Sequence, residues 1–211
     1  MKIALINENS QAAKNPLILG TLEKVVKPMG YEVFNYGMNG PEDTSITYVQ
    51  NGIIAAVLLN THAVDFVITG CGTGVGAMLA LNSFPGIVCG LASDPADAFM
   101  FTQINNGNAL SIPFAKGFGW GGELNLQYLF EKLFSSEWGN GYPPERKVPE
   151  NRNAAILCDV RKYAFHDLET ILKSLDKDLV KGAFSTEGFK KSYKANAQDT
   201  SLFAFIDEIT K

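Results

Sequence analysis

The loop after residue 69 carries the side chains best suited to chemistry. It reads Gly70-Cys-Gly-Thr-Gly-Val-Gly76, so a thiol, Cys71, and a hydroxyl, Thr73, lie among four glycines. Glycines let the backbone adopt positive φ and approach a ligand closely. Loop amides and the start of a following helix supply partial positive charge, which favours a thiolate. The loop is therefore predicted to support proton transfer on a phosphorylated or enolisable substrate.

The elements around this loop are predicted to form a parallel α/β sheet. Short apolar runs alternate with helical patterns along the first 134 residues, which is typical of βαβ units. Ligands of such sheets bind at the carboxyl ends of the strands. The predicted strands lie near Ile3–Ile6, Glu32–Asn35, Phe66–Thr69, Ile87–Leu91 and Ala109–Ile112. The predicted helices lie near Pro16–Pro28, Thr47–Thr61, Val75–Asn82, Pro95–Asn105 and Gly121–Phe134.

The chain is predicted to divide into an α/β/α domain, residues 1–140, and a helical C-terminal extension, residues 141–211. A loop-like segment, Gly139–Pro144, joins them, and helical patterns follow near His166–Lys181 and Ser201–Ile209. We expect the extension to pack on the core or on a dimer partner. Residues 1–140 contain 6 Lys and Arg against 11 Asp and Glu, while the extension contains 12 against 11. All three arginines lie in the extension, which makes it the expected source of an oxyanion-binding side chain.

Composition argues against several classes of protein. The chain has 211 residues, a net charge of −4 and no basic stripe, which disfavours a nucleic-acid partner. No apolar run approaches the roughly 20 residues that span a bilayer, and the N-terminus is predicted to be a strand rather than a signal peptide. The three cysteines are scattered and form no paired metal-binding motif. We therefore expect a cytoplasmic protein with no metal and no membrane partner.

The block Gly70-Cys-Gly-Thr-Gly-Val-Gly76, followed by Asn82 and Pro85-Gly-Ile87, closely resembles the ribose-5-phosphate isomerase B and galactose-6-phosphate isomerase family. The resemblance covers about residues 1–146, and its most specific part is the Cys-Gly-Thr-Gly block. The matching residues are Lys2-Ile-Ala4, Gly70-Cys-Gly-Thr-Gly-Val-Gly76, Asn82, Pro85-Gly-Ile87, Ser93-Asp-Pro95 and Gln103-Ile-Asn-Asn106. Residues 150–211 extend beyond the family's usual C-terminus.

This resemblance implies a fold, an assembly and a reaction. The fold would be a Rossmann-like three-layer α/β/α sandwich with a five-stranded parallel sheet. The assembly would be a homodimer whose sites are completed by the partner chain. The reaction would be aldose–ketose isomerisation of a sugar phosphate through an enediolate, with no metal or other cofactor.

The resemblance also implies roles for individual residues. Cys71 would be the base that moves the proton between carbons 1 and 2, and Thr73 would be its hydroxyl partner. Loop amides would stabilise the enediolate oxygen, as in an oxyanion hole. Substrate contacts would also come from a matched asparagine and from a matched arginine. The implied substrate-binding residues are Gly72, Gly74, Gly76, Asn105 and Arg146. Glu8 and Asn9 are further substrate-binding candidates, because the end of the first strand should face the same crevice as Cys71.

Two departures from the family pattern suggest a substrate that needs no ring opening. The usual Asp-His after the first strand is Glu8-Asn9 here, and the histidine before the matched asparagine is Ile104. That second histidine is associated with opening the sugar ring. The two histidines of this chain, His62 and His166, match neither position. A tetrose 4-phosphate, which cannot close to a furanose, is therefore one candidate substrate.

Other interpretations of the same residues stay open. Cys71 could be a small buried side chain, whereas a phosphatase nucleophile would need an arginine at position 77, which is alanine. The glycines nearly satisfy a dinucleotide-binding pattern, but that pattern normally follows the first strand. Glu8 could begin a helix, Asn9 could cap it, and Asp43 and Thr44 could serve a turn instead of a substrate. The missing histidines could also mark a non-catalytic binding module or the partner subunit of a heteromeric isomerase.

Overall fold

The computed structural model describes residues 1–43 and 45–211. Within this part of the chain, five strands form one parallel sheet in the order β2-β1-β3-β5-β4. Each predicted strand is confirmed within a residue or two at its ends. The strands are β1 (Lys2–Asn7), β2 (Glu32–Asn35), β3 (Phe66–Cys71), β4 (Cys89–Leu91) and β5 (Ala109–Pro113). Because all neighbours are parallel, their carboxyl ends meet at one edge of the sheet.

Helices cover both faces of this sheet, which confirms the three-layer α/β/α architecture. Alternate residues of β1 face opposite layers: Ala4 and Ile6 join one hydrophobic core, and Ile3 and Leu5 join the other. Helices α2 and α3 pack on the first face, and α1, α4 and α5 pack on the second. These helices are α1 (Asn15–Val26), α2 (Tyr48–Asn60), α3 (Val75–Asn82), α4 (Pro95–Met100) and α5 (Gly122–Leu133).

The predicted helix Pro95–Asn105 consists of two parts. Its α-helical part, α4, begins where the Asp94 carboxylate accepts hydrogen bonds from the amides of Ala96 and Asp97. The remainder is a π-helical turn, Phe101–Asn105, which ends at Asn106 in the left-handed conformation with φ 47°. The chain then turns back and enters β5.

The C-terminal extension contains more helices than the sequence pattern predicted. Residues 141–211, all described, hold five α-helices rather than two. The predicted helix His166–Lys181 is interrupted because Leu175 adopts extended backbone angles and the Asp176 side chain caps a new helix. The five are α6 (Lys147–Ala164), α7 (Leu168–Ser174), α8 (Lys177–Ala183), α9 (Glu187–Asn196) and α10 (Phe203–Thr210).

The extension lies against α2 and the outer strand β2. The Gln50 side chain donates a hydrogen bond to the Leu179 carbonyl of α8, and the Thr186 hydroxyl donates to the Tyr36 carbonyl next to β2. Ten of the thirteen residues of α2 are buried, because the sheet covers one side of this helix and the extension covers the other. This explains why α2 lacks a polar face. Among the described residues, no helix is both long and apolar enough to cross a membrane.

Candidate active site

Glu8 and Cys71 leave the sheet side by side at its carboxyl edge. Asn7 of β1 is paired with Gly70 of β3, so Glu8 and Cys71 are the next residues on adjacent strands. Both side chains are almost enclosed, with 2% of Glu8 and 8% of Cys71 exposed. The structure therefore brings together the predicted base and the predicted carboxylate of the site.

The loop between β3 and α3 depends on glycine for its shape. Gly74 has φ 75°, and a Cβ atom there would lie 2.6 Å from Leu91 Cδ1 and 3.0 Å from the Ile112 carbonyl carbon. The Ser111 hydroxyl donates a 2.7 Å hydrogen bond to the Gly74 carbonyl and holds the turn from below. Gly74 is thus fixed both by its backbone angles and by the strand behind it.

The amides of this loop point to an anion-binding role. Within the described residues, the amides of Gly72, Thr73 and Gly74 have no protein acceptor. The Gly76 amide lies in the first turn of α3, where intrahelical acceptors are missing. The Thr73 hydroxyl oxygen accepts a 3.3 Å hydrogen bond from the Val75 amide and is itself exposed. An oxyanion beside this loop would find several preoriented donors.

The segment after β5 supports the same loop from the other side. The Phe114 amide donates to the Cys71 carbonyl at 2.9 Å. The amides of Ala115 and Lys116 both donate to the Gly72 carbonyl, at 3.0 and 2.8 Å. Cys71 and Gly72 are therefore held by backbone hydrogen bonds that do not depend on any side chain.

Glu8 and Asn9 connect the site to neighbouring segments. The Glu8 carboxylate accepts hydrogen bonds from the Ser10 amide at 2.8 Å and the Ser10 hydroxyl at 2.5 Å, and so caps the 3-10 helix Asn9–Lys14. Asn9 donates from its side chain to Ser45 and from its amide to the Ile46 carbonyl. The helix-start interpretation of Glu8 is thus correct, and its predicted contact with substrate stays a prediction.

Two residues that the sequence did not single out also lie at this loop. A Cβ atom on Gly76 would be 3.4–3.5 Å from the ring of Tyr48, the first residue of α2. A Cβ atom on Gly72 would be 3.9 Å from the Gln11 side-chain nitrogen. Tyr48 is 45% exposed although it is aromatic, and this exposure at a helix start is a signal visible only in the structure.

The remaining candidates beside the second strand are less informative. The Asp43 carboxylate accepts hydrogen bonds from the amide and the side chain of Asn39, which fits the turn interpretation. Thr44 lies outside the described residues. His62 follows the far end of α2, so it is remote from the edge where this helix begins.

Within one chain, Asn105 and Arg146 lie away from Cys71. Asn105 precedes β5, and Ala109 of β5 is paired with Val67 near the start of β3, so Asn105 lies at the amino edge of the sheet. Arg146 belongs to a turn that is joined to the same region by a hydrogen bond from the Gly141 amide to the Gln103 carbonyl. The Arg146 side chain is 61% exposed and lies 3.9 Å from the Glu150 carboxylate. Asn105 thus lies at the opposite edge of the sheet from Cys71, and Arg146 follows a segment that is bonded to the π-helical turn ending at Asn105.

The three thiols have different surroundings. All are free, and Cys89 lies in the core while Cys158 is exposed on α6. Burial raises the pKa of the Cys89 thiol to about 12. Across the described residues, no group of three or more His, Cys, Asp or Glu side chains is arranged to hold a metal ion.

The fold and the loop together define the class of this protein. A parallel three-layer α/β/α sheet carries, at its carboxyl edge, a cysteine among free amides, an arrangement suited to a small molecule that develops negative charge. The chain belongs to the Ribose/Galactose Isomerase family, whose model matches residues 3–134. A second model, described as ribose-5-phosphate isomerase, matches residues 163–209. The protein is accordingly a sugar isomerase.

Solved structures similar to this chain support the same class. The crystal structure of a 4-deoxy-L-threo-5-hexosulose-uronate ketol-isomerase complexed with a tartrate shares 57% identity and covers 100% of this chain and 99% of its own, with a TM-score of 0.97. A ribose-5-phosphate isomerase from Vibrio parahaemolyticus shares 49% identity over 99% of both chains, also with a TM-score of 0.97. A ribose-5-phosphate isomerase B from Clostridium thermocellum, at 22% identity and a TM-score of 0.62, covers 78% of this chain and 100% of its own and shares the fold. No curated protein matches the chain.

Proposed function

We propose that this protein is an aldose–ketose isomerase that acts without a metal on an open-chain sugar bearing an acidic group. The observation that carries this proposal is the position of Cys71, at the end of β3 within a loop of unpaired amides. The Cys71 thiolate takes the proton from the carbon beside the carbonyl. The electron pair of that C–H bond forms the enediolate double bond, and the carbonyl oxygen becomes an oxyanion. The amides of Gly72, Gly74 and Gly76 hold this oxyanion.

The second half of the reaction uses the same residue. The hydroxyl proton on the adjacent carbon passes to the oxyanion, the Cys71 thiol returns its proton to the former carbonyl carbon, and the deprotonated oxygen becomes the new carbonyl. The two carbons exchange oxidation levels, so no external oxidant or reductant is required. Glu8 and Thr73 contact the hydroxyls of the two reacting carbons, and Asn9 contacts the substrate at the same edge. A base of this kind contributes roughly 10²- to 10⁴-fold to the rate.

The open-chain substrate follows from the residues at the two histidine positions. Asn9 and Ile104 have no proton to exchange near neutral pH, so neither can open a sugar ring. The compound in the name of the 57% identical enzyme has no hydroxyl on carbon 4 and a ketone on carbon 5. It therefore cannot form the usual furanose or pyranose ring. A keto-uronate of this type is the first candidate substrate of this chain.

A sugar phosphate is the second candidate. It is favoured by the family and by the name of the 49% identical ribose-5-phosphate isomerase. A tetrose 4-phosphate fits the missing histidines better than ribose 5-phosphate, because only the latter must open a furanose. In either case Arg146 is the proposed partner for the acidic group, since arginine matches both carboxylate and phosphate geometry.

The site is proposed to be shared between two copies of the chain. Because Asn105 lies at the opposite edge of the sheet from Cys71, and Arg146 follows a segment bonded to the same region, a second copy would supply these two residues to the Cys71 site. The exposed helix α6 supports this assembly. None of its residues, all of them described, is buried in the isolated chain. Its large exposed apolar side chains are Val148, Ile156, Leu157, Val160 and Tyr163. A homodimer would cover them.

Hydrogen exchange measured by proton NMR tests the reaction. The protein is incubated in heavy water with the keto-uronate, erythrose 4-phosphate or ribose 5-phosphate, using Cys71→Ala and the control Cys158→Ser. We expect deuterium beside the carbonyl of an open-chain compound, a loss of at least about 10²-fold in Cys71→Ala, and no effect of EDTA. Turnover of ribose 5-phosphate equal to that of the open-chain compounds would contradict the substrate proposal.

Thiol labelling separates this proposal from a non-catalytic partner subunit. An active base should react with iodoacetamide faster than Cys158, and a bound acidic sugar should protect it. Cys89 should stay unlabelled because burial raises its pKa to about 12 and keeps the thiol protonated. An inert Cys71 in a chain that still binds the sugar would favour the binding-module alternative.

A further inference from the structure

A single buried amide, that of Gln50, joins the C-terminal extension to the first turn of α2. Its nitrogen donates a 3.3 Å hydrogen bond to the Leu179 carbonyl of α8. Its oxygen accepts a 2.9 Å hydrogen bond from the Thr47 amide and completes the capping box of α2. A Cβ atom at Gly182 would lie 2.5 Å from the Gln50 nitrogen, so glycine provides the space for this contact.

The same turn of α2 is tied to the strands that carry the site. Asn51, the next residue, donates hydrogen bonds of 3.1 Å to the Ile6 carbonyl of β1 and to the Thr69 hydroxyl of β3. Ile6 and Thr69 each lie two residues before a site residue, Glu8 or Cys71. The first turn of α2 is therefore held on its inner side by the sheet and on its outer side by the extension.

This turn presents Tyr48 to the loop that contains Cys71. Tyr48 directly follows Thr47, and its ring lies beside Gly76. The ring is 45% exposed, so its position depends on the backbone of the turn more than on side-chain packing. Residues that line a site must be held within about 0.5 Å of their working position, which requires supporting contacts behind them.

A second contact from the extension reaches the same side of the site. The buried Thr186 hydroxyl donates a 2.8 Å hydrogen bond to the Tyr36 carbonyl. The Tyr36 amide in turn donates to the Leu5 carbonyl, and the Met38 amide donates to the Asn7 carbonyl, directly before Glu8. The extension thus contacts both segments that border the outer side of the site.

We infer that Gln50 is a positioning residue for the isomerase, through which the C-terminal extension holds Tyr48 against the substrate. This inference rests on the proposed function and adds a role for the extension to it. Cys71 and its loop are held separately by Ser111 and by the amides after β5. Loss of the Gln50 contact should therefore weaken substrate binding more than the proton transfer itself.

Two substitutions separate the cap from the contact with the extension. Gln50→Glu keeps an oxygen for the Thr47 amide but loses the donor to the Leu179 carbonyl, whereas Gln50→Met loses both. We expect both variants to raise KM by roughly fivefold to tenfold and to change kcat by less than about threefold, the scale of one hydrogen bond. Ile206→Val, which trims a buried side chain of α10 without removing a hydrogen bond, is the stability control and should leave KM unchanged.

A double-mutant cycle and amide exchange complete the test. In a Tyr48→Ala background, Gln50→Met should raise KM no further, because the two residues act through one another. Hydrogen–deuterium exchange should show faster exchange of the amides of residues 45–51 in Gln50→Met, whether or not any sugar is turned over. A wild-type KM in Gln50→Met, additive effects in the cycle or unchanged exchange would each overturn the inference. Absence of turnover by the wild type, with the exchange difference present, would instead contradict the proposed function.

Discussion

At the residue scale, the site depends on a few backbone positions that tolerate no side chain. Gly74 has a left-handed φ, and a Cβ atom added there would collide with Leu91, Ile112 and Pro113. The backbone conformation of Gly74 orients the amides on either side of it. The proposed oxyanion site therefore depends directly on the shape of the loop. A methyl group there should disturb both stability and catalysis.

We predict that Gly74→Ala lowers the free energy of unfolding by about 1–3 kcal/mol, because the new Cβ meets backbone atoms and the φ is strained. Proton exchange on substrate should fall by at least about tenfold as the amides move. Urea unfolding and the NMR assay measure the two effects. Gly20→Ala is a matched control: it lies inside α1 with nothing within 4 Å of the new Cβ. It should stabilise the fold by about 0.5–1 kcal/mol. A Gly74→Ala protein as stable and active as wild type would refute the argument.

At the element scale, the short helices of the extension depend on their caps. Helices α7 and α8 have only seven residues each, too few to be stable alone. The side chains of Asp167, Asp176 and Thr186 each accept the amide hydrogen bond that begins α7, α8 and α9. Capping and packing on α2 together hold these helices in place.

The Asp167 cap predicts a dependence of stability on acid pH. Hydrogen bonds from the Thr170 amide and hydroxyl lower the pKa of the Asp167 carboxyl below its usual 3.8. A lowered pKa means that the native state binds the proton less well than the unfolded state does. The ionised Asp167 carboxylate therefore stabilises the fold fully above the pKa of Asp167 in the unfolded chain. This stabilisation is lost as pH falls through the pKa of Asp167 in the folded chain. We expect Asp167→Asn, which still caps a helix, to match wild type near neutral pH and to lose less melting temperature below about pH 4. Thermal melts over this range measure the difference, and identical slopes would contradict the assignment.

At the scale of the whole molecule, residues of the predicted site lie at opposite edges of one sheet. Cys71 is at the carboxyl edge and Asn105 is near the amino edge, and the segment that leads to Arg146 is bonded to the π-helical turn ending at Asn105. Helix α6, with its exposed apolar side chains, begins directly after Arg146. We propose that a two-fold assembly through this helix brings Asn105 and Arg146 of one chain to Cys71 of the other.

Mixing two inactive variants tests this assembly. We predict that Cys71→Ala and Arg146→Ala proteins are each nearly inactive, and that refolding them together restores about a quarter of the wild-type rate. Half of the dimers would be mixed, and each mixed dimer would keep one intact site. Light scattering should show a dimer for every protein and mixture. A mixture of Arg152→Ala with Cys71→Ala is the control, in which a different arginine of the extension is removed. No recovery from the first mixture would show that each site is built from one chain.

The sequence by itself determined the sheet and the loop at its centre. Parallel strands buried on both faces are continuous apolar runs, and the glycines around Cys71 need no distant contact to specify a sharp turn. For the same reason, the order of strands and helices up to residue 134 could be predicted. The family resemblance of the Cys71 loop was also confirmed. Each of these features is encoded in neighbouring residues.

Only the tertiary structure decided what lies against these elements. Helix α6 was not predicted, although Ile156, Leu157, Val160 and Tyr163 recur at helical spacing, and only the structure shows that these side chains are exposed. Tyr48 lies beside Gly76, and Gln50 contacts α8, although these partners are far apart in sequence. Asn105, by contrast, lies at the opposite edge of the sheet from Cys71. No local pattern records such contacts, because they depend on how the completed layers pack and on which edge of the sheet each loop reaches.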